Sequence, residues 1–534
     1  MINQHPHRAL TVVACYPEIT FSRLLITRAI LALILIFSGF AQVLADQSIA
    51  YTYTPQGLVA SIDGPRTDVS DITLFEYDDQ GNRTQTTNAL GHITQITAHD
   101  PSGRPLTIIG PNGAITELDY DRRGRLLSQM TEGRQIQLRY DAVGNIEQIT
   151  QASGQILSYF YDDAHRLTGY RDALGNQVSY TLDAAGNRLS VSLADASTTL
   201  IQSHQFSYDK LSRLLSDIGA EGQTGRYQYD ANNNLIGQLD PNEQPTQFEF
   251  DALSRLIHST DADNHQSTYQ YDARDNLVAV TDPKGHQTLY RYNAQDQLIQ
   301  QSSPDTGITL FTVDSAGNRL SQTDAKGVTS TYTYDALNRL TSVTYPDSSL
   351  NISYQYDENA TGQHGVGHLT TMIDASGVTE YAYDKRGNLS TETTMRGNIT
   401  LSTLYAYNTA DQLTKMTYPS GRTVNYFYDA TGRINEVTST DTLGNIQPIV
   451  SDLLYQPFGT LNEMLYGNGL TLQHRFDLDA QLTDITLSPV LDWQYRYDPV
   501  SNITGITHML EPHQDQSYDY DSLNRLIDAQ DLYG

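Results

Sequence analysis

The sequence predicts an all-β chain in which tandem β-hairpins build one long spiralling sheet that closes into a hollow barrel or shell. Three observations carry this expectation: anchors recur at a fixed period, alternating Tyr and Thr precede them, and the helical period is absent. The anchors Tyr208-Asp209, Tyr229-Asp230, Phe250-Asp251, Tyr271-Asp272, Tyr292-Asn293, Val313-Asp314 and Tyr334-Asp335 are each 21 residues apart. A period of that size marks a repeat array rather than a set of ordinary domains.

Each unit reads as two short strands and two turns. In Tyr269-Gln270-Tyr271 and Tyr332-Thr333-Tyr334 the alternation puts both tyrosines on one face of a strand. A turn of the form Asp-x-x-Gly-Asn/Arg follows, as in Asp141-Ala142-Val143-Gly144-Asn145 and Asp384-Lys385-Arg386-Gly387-Asn388. Asp bonds nearby backbone N–H groups there, and Gly or Asn tolerates the positive φ of a tight reversal. A second strand such as Leu277-Val278-Ala279-Val280-Thr281 leads to a closing turn such as Asp282-Pro283-Lys284-Gly285.

The first 45 residues differ. Arg23 and Arg28 precede an apolar run from Ala29 to Phe37, and Val43-Leu44-Ala45 ends in a small-residue cleavage pattern. This predicts a secretory signal with a long leader, residues 1–45, ahead of an array over 46–534. The stretch from Ala29 to Leu44 is 16 residues, short for a bilayer span, so contact with a membrane is expected only through this segment if it stays uncleaved. Cys15 precedes the apolar run, and cleavage after Ala45 leaves a chain with no cysteine and no disulfides. The leader holds 3 of 33 basic and 1 of 62 acidic residues, leaving 30 against 61, a net −31. That balance disfavours nucleic-acid binding, which draws on basic stripes.

Further anchors extend the array in both directions. Tyr77, His99, Tyr120, Tyr140, Tyr161 and Leu182 precede Tyr208; Tyr356, Tyr383, Tyr407, Tyr428, Tyr455, Phe476, Tyr497 and Tyr520 follow Tyr334. Tyr51-Thr52-Tyr53-Thr54-Pro55 is a degenerate opening copy. Extra residues are expected in loops at Gly362 to His368 and at Asp441 to Asn445. Twenty-one copies imply about 40 strands, and a twisted sheet of that length must wind up. Gly534 stands 14 residues after Tyr520, at a repeat's closing turn. The expectation is a fragment of a longer protein, with an array completed by a separate chain as the other reading.

The iterated unit Tyr-x-Tyr-Asp-x-x-Gly-Asn, carried outright at Tyr140-Asp141 to Asn145 and Tyr383-Asp384 to Asn388, closely resembles the RHS/YD-repeat family. The resemblance covers nearly all of the array. It implies a secreted or surface β-shell, which in polymorphic toxins and insecticidal toxin complexes encloses a C-terminal toxic domain. Wall-associated bacterial proteins and animal teneurins are similar, with roles in contact and adhesion. Family toxins end the shell with Asp-Pro-x-x-Gly-Arg; Asp498-Pro499-Val500-Ser501-Asn502 lacks the Gly-Arg, and Asp100-Pro101-Ser102-Gly103-Arg104 lies at the wrong end. The family's self-cleaving aspartates therefore carry over to no position here.

Catalytic signatures are missing: no His precedes Glu, and no Gly-Lys pair exists. Asp230-Ala231-Asn232-Asn233-Asn234 opens like a calcium loop, but Leu235 and Pro241 occupy the positions that need Gly and Glu. His364 and His368 are the best metal suspects, without a third ligand. No catalytic, metal or cofactor site is expected. The residues that matter are the motif residues, in a structural role: Tyr77, Tyr120, Tyr140, Tyr161, Tyr208, Tyr229, Tyr271, Tyr334, Tyr356, Tyr383, Tyr428, Tyr497 and Tyr520, with Asp141, Gly144, Asn145, Asp384, Gly387 and Asn388. Periodic tyrosines read as a cross-strand ladder, with sugar or protein stacking as the alternative. The function expected is a non-enzymatic, exported shell segment of a toxin-delivery or contact-competition system, partnered by a C-terminal effector or a second chain. The alternative is a surface adhesin that binds cell-surface glycans.

Overall fold

The computed structural model describes residues 48–358 and 363–531. The expected leader with Cys15 and Ala45 lies outside them, as do Gly362 and Gly534. The chain divides into two units, Met1–Leu44 and Ala45–Gly534, and every described residue belongs to the second.

Among the described residues forty-four strands, from β1 (Ala50–Tyr53) to β44 (Leu526–Asp531), form one sheet. Each strand pairs antiparallel with its neighbours in sequence, so the sheet is an unbroken meander. The anchors explain its regularity. Tyr77 ends the strand Thr73–Tyr77, Tyr229 ends Thr224–Tyr229, and Tyr520 ends Gln516–Tyr520, as every other anchor ends its own strand. The degenerate opening copy supplies β1 and its partner Val59–Asp63, which takes the strand number beyond 40. Helix is confined, among the described residues, to two 3₁₀ turns at Ser348–Leu350 and Pro512–Gln514.

The two expected insertions behave differently. Asp357 and His368 do close a motif turn longer than the others, with Asp357 N–H on His368 O at 3.1 Å. Asp441 to Asn445 do not: they make an ordinary five-residue turn on the opposite rim, with Asp441 N–H on Asn445 O. The extra residues lengthen the strands instead, Ile434–Thr440 and Ile446–Tyr455. A paired strand satisfies each added backbone group, which a solvated loop leaves to water.

The wall is one sheet thick. In Thr224–Tyr229 the tyrosines are half-buried, while Arg226 and Gln228 between them are exposed. No large side chain among the described residues is fully enclosed, and the buried hydrophobics are scattered: Ile96, Val178, Ala279, Phe311, Val343 and Val424. Stability therefore rests on ladders and on contacts between neighbouring repeats rather than on a filled core.

The sheet also meets itself. Connecting turns early in the array touch motif turns 252 to 272 residues later, about twelve repeats on. No strand ladder crosses this line among the described residues; turn tips do.

Candidate functional site: the motif turns and the seam between windings

The motif turn is built by its aspartate. Asp141 Oδ1 accepts from the N–H groups of Val143 at 3.1 Å, Gly144 at 2.7 Å and Asn145 at 2.8 Å, while Oδ2 takes the Asn145 side chain at 2.8 Å. Asp384 repeats this with Arg386 N–H at 2.8 Å, Asn388 N–H at 3.0 Å and the Asn388 side chain at 3.0 Å. Gly144 and Gly387 sit at φ +116° and +87°, where Asn338 substitutes at +60°. A register shift just before each anchor, as between Gln228 and Tyr229, absorbs the odd residue as a bulge.

Arginine in place of the final asparagine adds a link to the next copy. Arg255 Nε donates to Asp251 Oδ2 at 2.7 Å, its Nη1 donates to Asp272 O at 3.2 Å, and its guanidinium lies 4.9 Å from the Tyr271 ring centre. Arg104 over Tyr120, Arg125 over Tyr140, Arg213 over Tyr229 and Arg339 over Tyr356 repeat the stack at 4.3 to 4.9 Å.

The anchor phenols tie each copy to the one before. Tyr140 donates to Leu126 O, Tyr161 to Ile146 O, Tyr356 to Leu340 O, Tyr383 to Leu369 O, Tyr428 to Leu413 O, Tyr497 to Leu482 O and Tyr520 to Ile503 O, all at 2.7 to 2.9 Å. Tyr77 donates to Val59 O in the same way. Tyr208 ends the strand Leu200–Tyr208 opposite Leu214, and Tyr334 ends Thr329–Tyr334 opposite Leu340.

The electrostatics follow. The Arg104 side chain holds the Asp100 carboxyl below its ordinary range, the Asn82 side chain does so for Asp78, and the Arg125 backbone N–H does so for Asp121. Burial pushes up the phenols of Tyr140, Tyr161, Tyr334, Tyr356, Tyr383, Tyr428 and Tyr497.

Sequence reasoning missed the seam. Arg66, its side chain 1% exposed, reaches from the connecting segment after Asp63 to the late turns: Nη1 donates to Asp335 O at 3.0 Å and Asn338 Oδ1 at 2.9 Å, and Nε lies 3.3 Å from Asp314. Asn112 clasps the enlarged turn, donating to Val366 O at 2.8 Å and accepting from Val366 N–H at 3.0 Å. Arg134 pairs with Asp411 at 3.2 Å, the Ala220 N–H with Asp479 at 2.7 Å, and Asp263 with Ser522. Tyr170 packs edge-on against Phe458 at 5.1 Å. Each early partner is an ordinary polar or aromatic residue near a turn, with no local signal of its destination.

Of the two histidines flagged for metal, one serves the seam and the other packs within its own winding. His364 Nδ1 lies 3.1 Å from Asn112 O across the seam, and His368 stacks on Tyr383 at 4.4 Å. Burial lowers the His368 pKa. Asp230 caps Asn232 N–H and Asn234 N–H, as a motif turn does. Among the described residues no group of three acidic, His or Cys side chains is gathered to hold a metal.

Two family models match. The RHS Repeat model matches residues 229–266, 250–287, 271–308, 313–350, 364–399 and 407–446. The Teneurin YD-shell model matches 23–193, beginning inside the stretch expected to be leader. No curated protein matches. Solved structures do: the TcdB2–TccC3 crystal structure aligns at a TM-score of 0.75 and 17% identity over 90% of this chain and 31% of that one. TcdB2–TccC3–Cdc42 aligns at 0.74 and 15%, and the Photorhabdus luminescens Tc holotoxin pore at 0.73 and 15%, each over 90% of this chain and 33% of that one. At such identities the likeness concerns the fold, and this chain spans about a third of their length.

Proposed function

From the premise that this chain belongs to the RHS/YD-repeat family, we propose that it is a length of non-enzymatic shell wall, exported to the outside or the surface of its cell, in a toxin-delivery or contact-competition system. The observation that carries this reading is the architecture: a wall one strand-layer thick that meets itself by turn contacts about twelve repeats on, with no filled core among the described residues. Such a wall spends its residues on enclosing a volume. Its partner is then an effector, C-terminal in the same polypeptide or on a second chain, and the motif residues from Tyr77 to Tyr520 act structurally. The leader 1–45 directs export and the array begins at Asp46.

Small-angle scattering of the secreted protein tests the shell. A solid body of this length has a radius of gyration of about 23 Å; a hollow wall must exceed that clearly, and a value near it defeats the reading. Intact mass of the native product from its own host then tells whether effector and array share one chain.

The exposed pair Tyr51 and Tyr53, 50% and 60% accessible on one strand, favours a second reading as an adhesin that stacks sugars on tyrosine. A glycan-array screen without binding removes it.

A further inference from the structure

Gly110 to Ala114 and Tyr466 to Leu470 are connecting turns of one design. In each the first N–H bonds the fifth carbonyl, at 2.9 and 2.8 Å, and the fourth N–H bonds the first carbonyl, again at 2.9 and 2.8 Å. Their fourth residues, Gly113 and Gly469, sit at φ +76° and +86°. Asn112 and Asn468 precede them, and these are the two Asn-Gly pairs of the chain. Asn-Gly is the pair at which asparagine loses its amide most readily, because a following residue without a Cβ lets its backbone nitrogen reach the side-chain carbon. The two side chains are spent differently. Asn468 Oδ1 accepts from Leu470 N–H in its own turn at 3.1 Å. Asn112 Oδ1 accepts from Val366 N–H at 3.0 Å and its Nδ2 donates to Val366 O at 2.8 Å, 254 residues further on.

We propose that Asn112 is a modification site whose spontaneous deamidation is held off by the closed seam and, once it has happened, keeps the seam from closing again there. The reaction needs only water. The Gly113 amide nitrogen gives up its proton and attacks Asn112 Cγ. The new N–Cγ bond forms, the Cγ–Nδ2 bond breaks, and Nδ2 leaves as ammonia. Water then opens the cyclic imide at either carbonyl, giving aspartate or isoaspartate. The attack requires Cγ to swing over the Gly113 nitrogen, and both bonds to Val366 oppose that rotation. The Gly113 N–H bond opposes it too, but Gly469 has the same one, so the clasp is what sets Asn112 apart. Either product fits the seam badly. Aspartate turns an oxygen toward Val366 O where Nδ2 donated, leaving that carbonyl without its donor. Isoaspartate lengthens the backbone beside Asn112 O, the atom 3.1 Å from His364 Nδ1. A brief opening of the seam is reversible; a lasting one is written into the chain. The inference rests on the seam and not on the reading of the chain as a shell.

Peptide mapping by mass spectrometry, on the full chain held at mildly alkaline pH, tests the first half. The urea-unfolded chain sets the intrinsic rate of each pair. In the folded chain Asn112 should fall below its own unfolded rate by at least about tenfold more than Asn468 falls below its own. Val366→Pro removes the N–H half of the clasp and should speed Asn112 by about fivefold, with Asn468 unchanged. Where that variant misfolds, Asn468 moves as well, and the parent chain in urea below its unfolding transition decides instead. There Asn112 should accelerate as the seam loosens while Asn468 holds steady. Asn112→Asp tests the second half: hydrogen exchange should quicken at 110–114 and 364–368 and stay unchanged at 466–470. Equal protection of the two pairs, an Asn112 rate that ignores both Val366→Pro and urea, or exchange in Asn112→Asp that matches the parent overturns the proposal.

Discussion

Asp251-Ala252-Leu253-Ser254-Arg255 and Asp335-Ala336-Leu337-Asn338-Arg339 differ at one residue in five, and they fold alike. In both, the aspartate caps the third and fifth N–H groups and takes the arginine Nε at 2.7 Å. Both hold the fourth residue in the left-handed region, Ser254 at φ +61° and Asn338 at +60°. Yet Leu253 stands 68% exposed, whereas Leu337 lies in a turn that the buried Arg66 grips through Asp335 O and Asn338 Oδ1. The pair teaches that turn chemistry and turn burial are separate decisions. The first is made within five residues, the second by a segment more than 260 residues away.

Acid should have the largest effect. The aspartates held below their ordinary value, such as Asp100, Asp121 and Asp251, contribute stability that is complete above the unfolded value of about 3.9 and lost as pH falls through the folded values. Far-UV circular dichroism should therefore collapse cooperatively below about pH 4. The anchor phenols set the opposite limit. The raised values of Tyr356 and Tyr383 mean stability complete below about pH 10 and lost as pH climbs through the folded values. A flat profile at either end would remove the motif residues from the stability argument.

Arg66→Ala should separate the two turns. It strands Asp314 and the Asp335 carbonyl at a site where the guanidinium is 1% exposed, at a cost of about 3 kcal/mol. Hydrogen exchange should quicken around 64–72 and 314–339 and stay unchanged around Asp251. A uniform change along the chain would mean that the windings are not separate from the ladder.

A covalent staple sharpens the same point. A Cβ built on Gly432 would lie 3.8 Å from Ser153 Cβ, which is the ordinary spacing of a disulfide. Ser153→Cys with Gly432→Cys should oxidise without reagent excess and run faster on a non-reducing gel. It should stabilise by about 2–4 kcal/mol less the strain of a left-handed cysteine at 432. Failure to cross-link would place the windings elsewhere.

The smallest effect is the most direct. Leu337→Ala should cost about 1 kcal/mol and Leu253→Ala less than about 0.5, measured by urea unfolding. Equal costs would erase the distinction between the turns.

Much of this was legible in advance for one reason: the repeat is local. Tyr77 to Tyr520 could be placed at strand ends because alternation and turn chemistry act over a handful of residues, and the Asp-x-x-Gly-Asn spacing states its own hydrogen bonds. Where extra residues have two local solutions, as at Asp441 to Asn445, the choice of longer strands over a longer loop was not readable.

The sequence by itself determined the hairpin, its 21-residue length, the pairing of each strand with the next and the residues that turn the chain. The tertiary structure alone decided that Asn112 meets Val366, that Arg66 meets Asp335, and that His364 is a seam contact. Those partners depend on curvature summed over some two dozen strands, where a small change in each twist moves the meeting point by a whole repeat. Local hydrogen bonds fix their partners through covalent proximity; a seam fixes them only after the wall has come round.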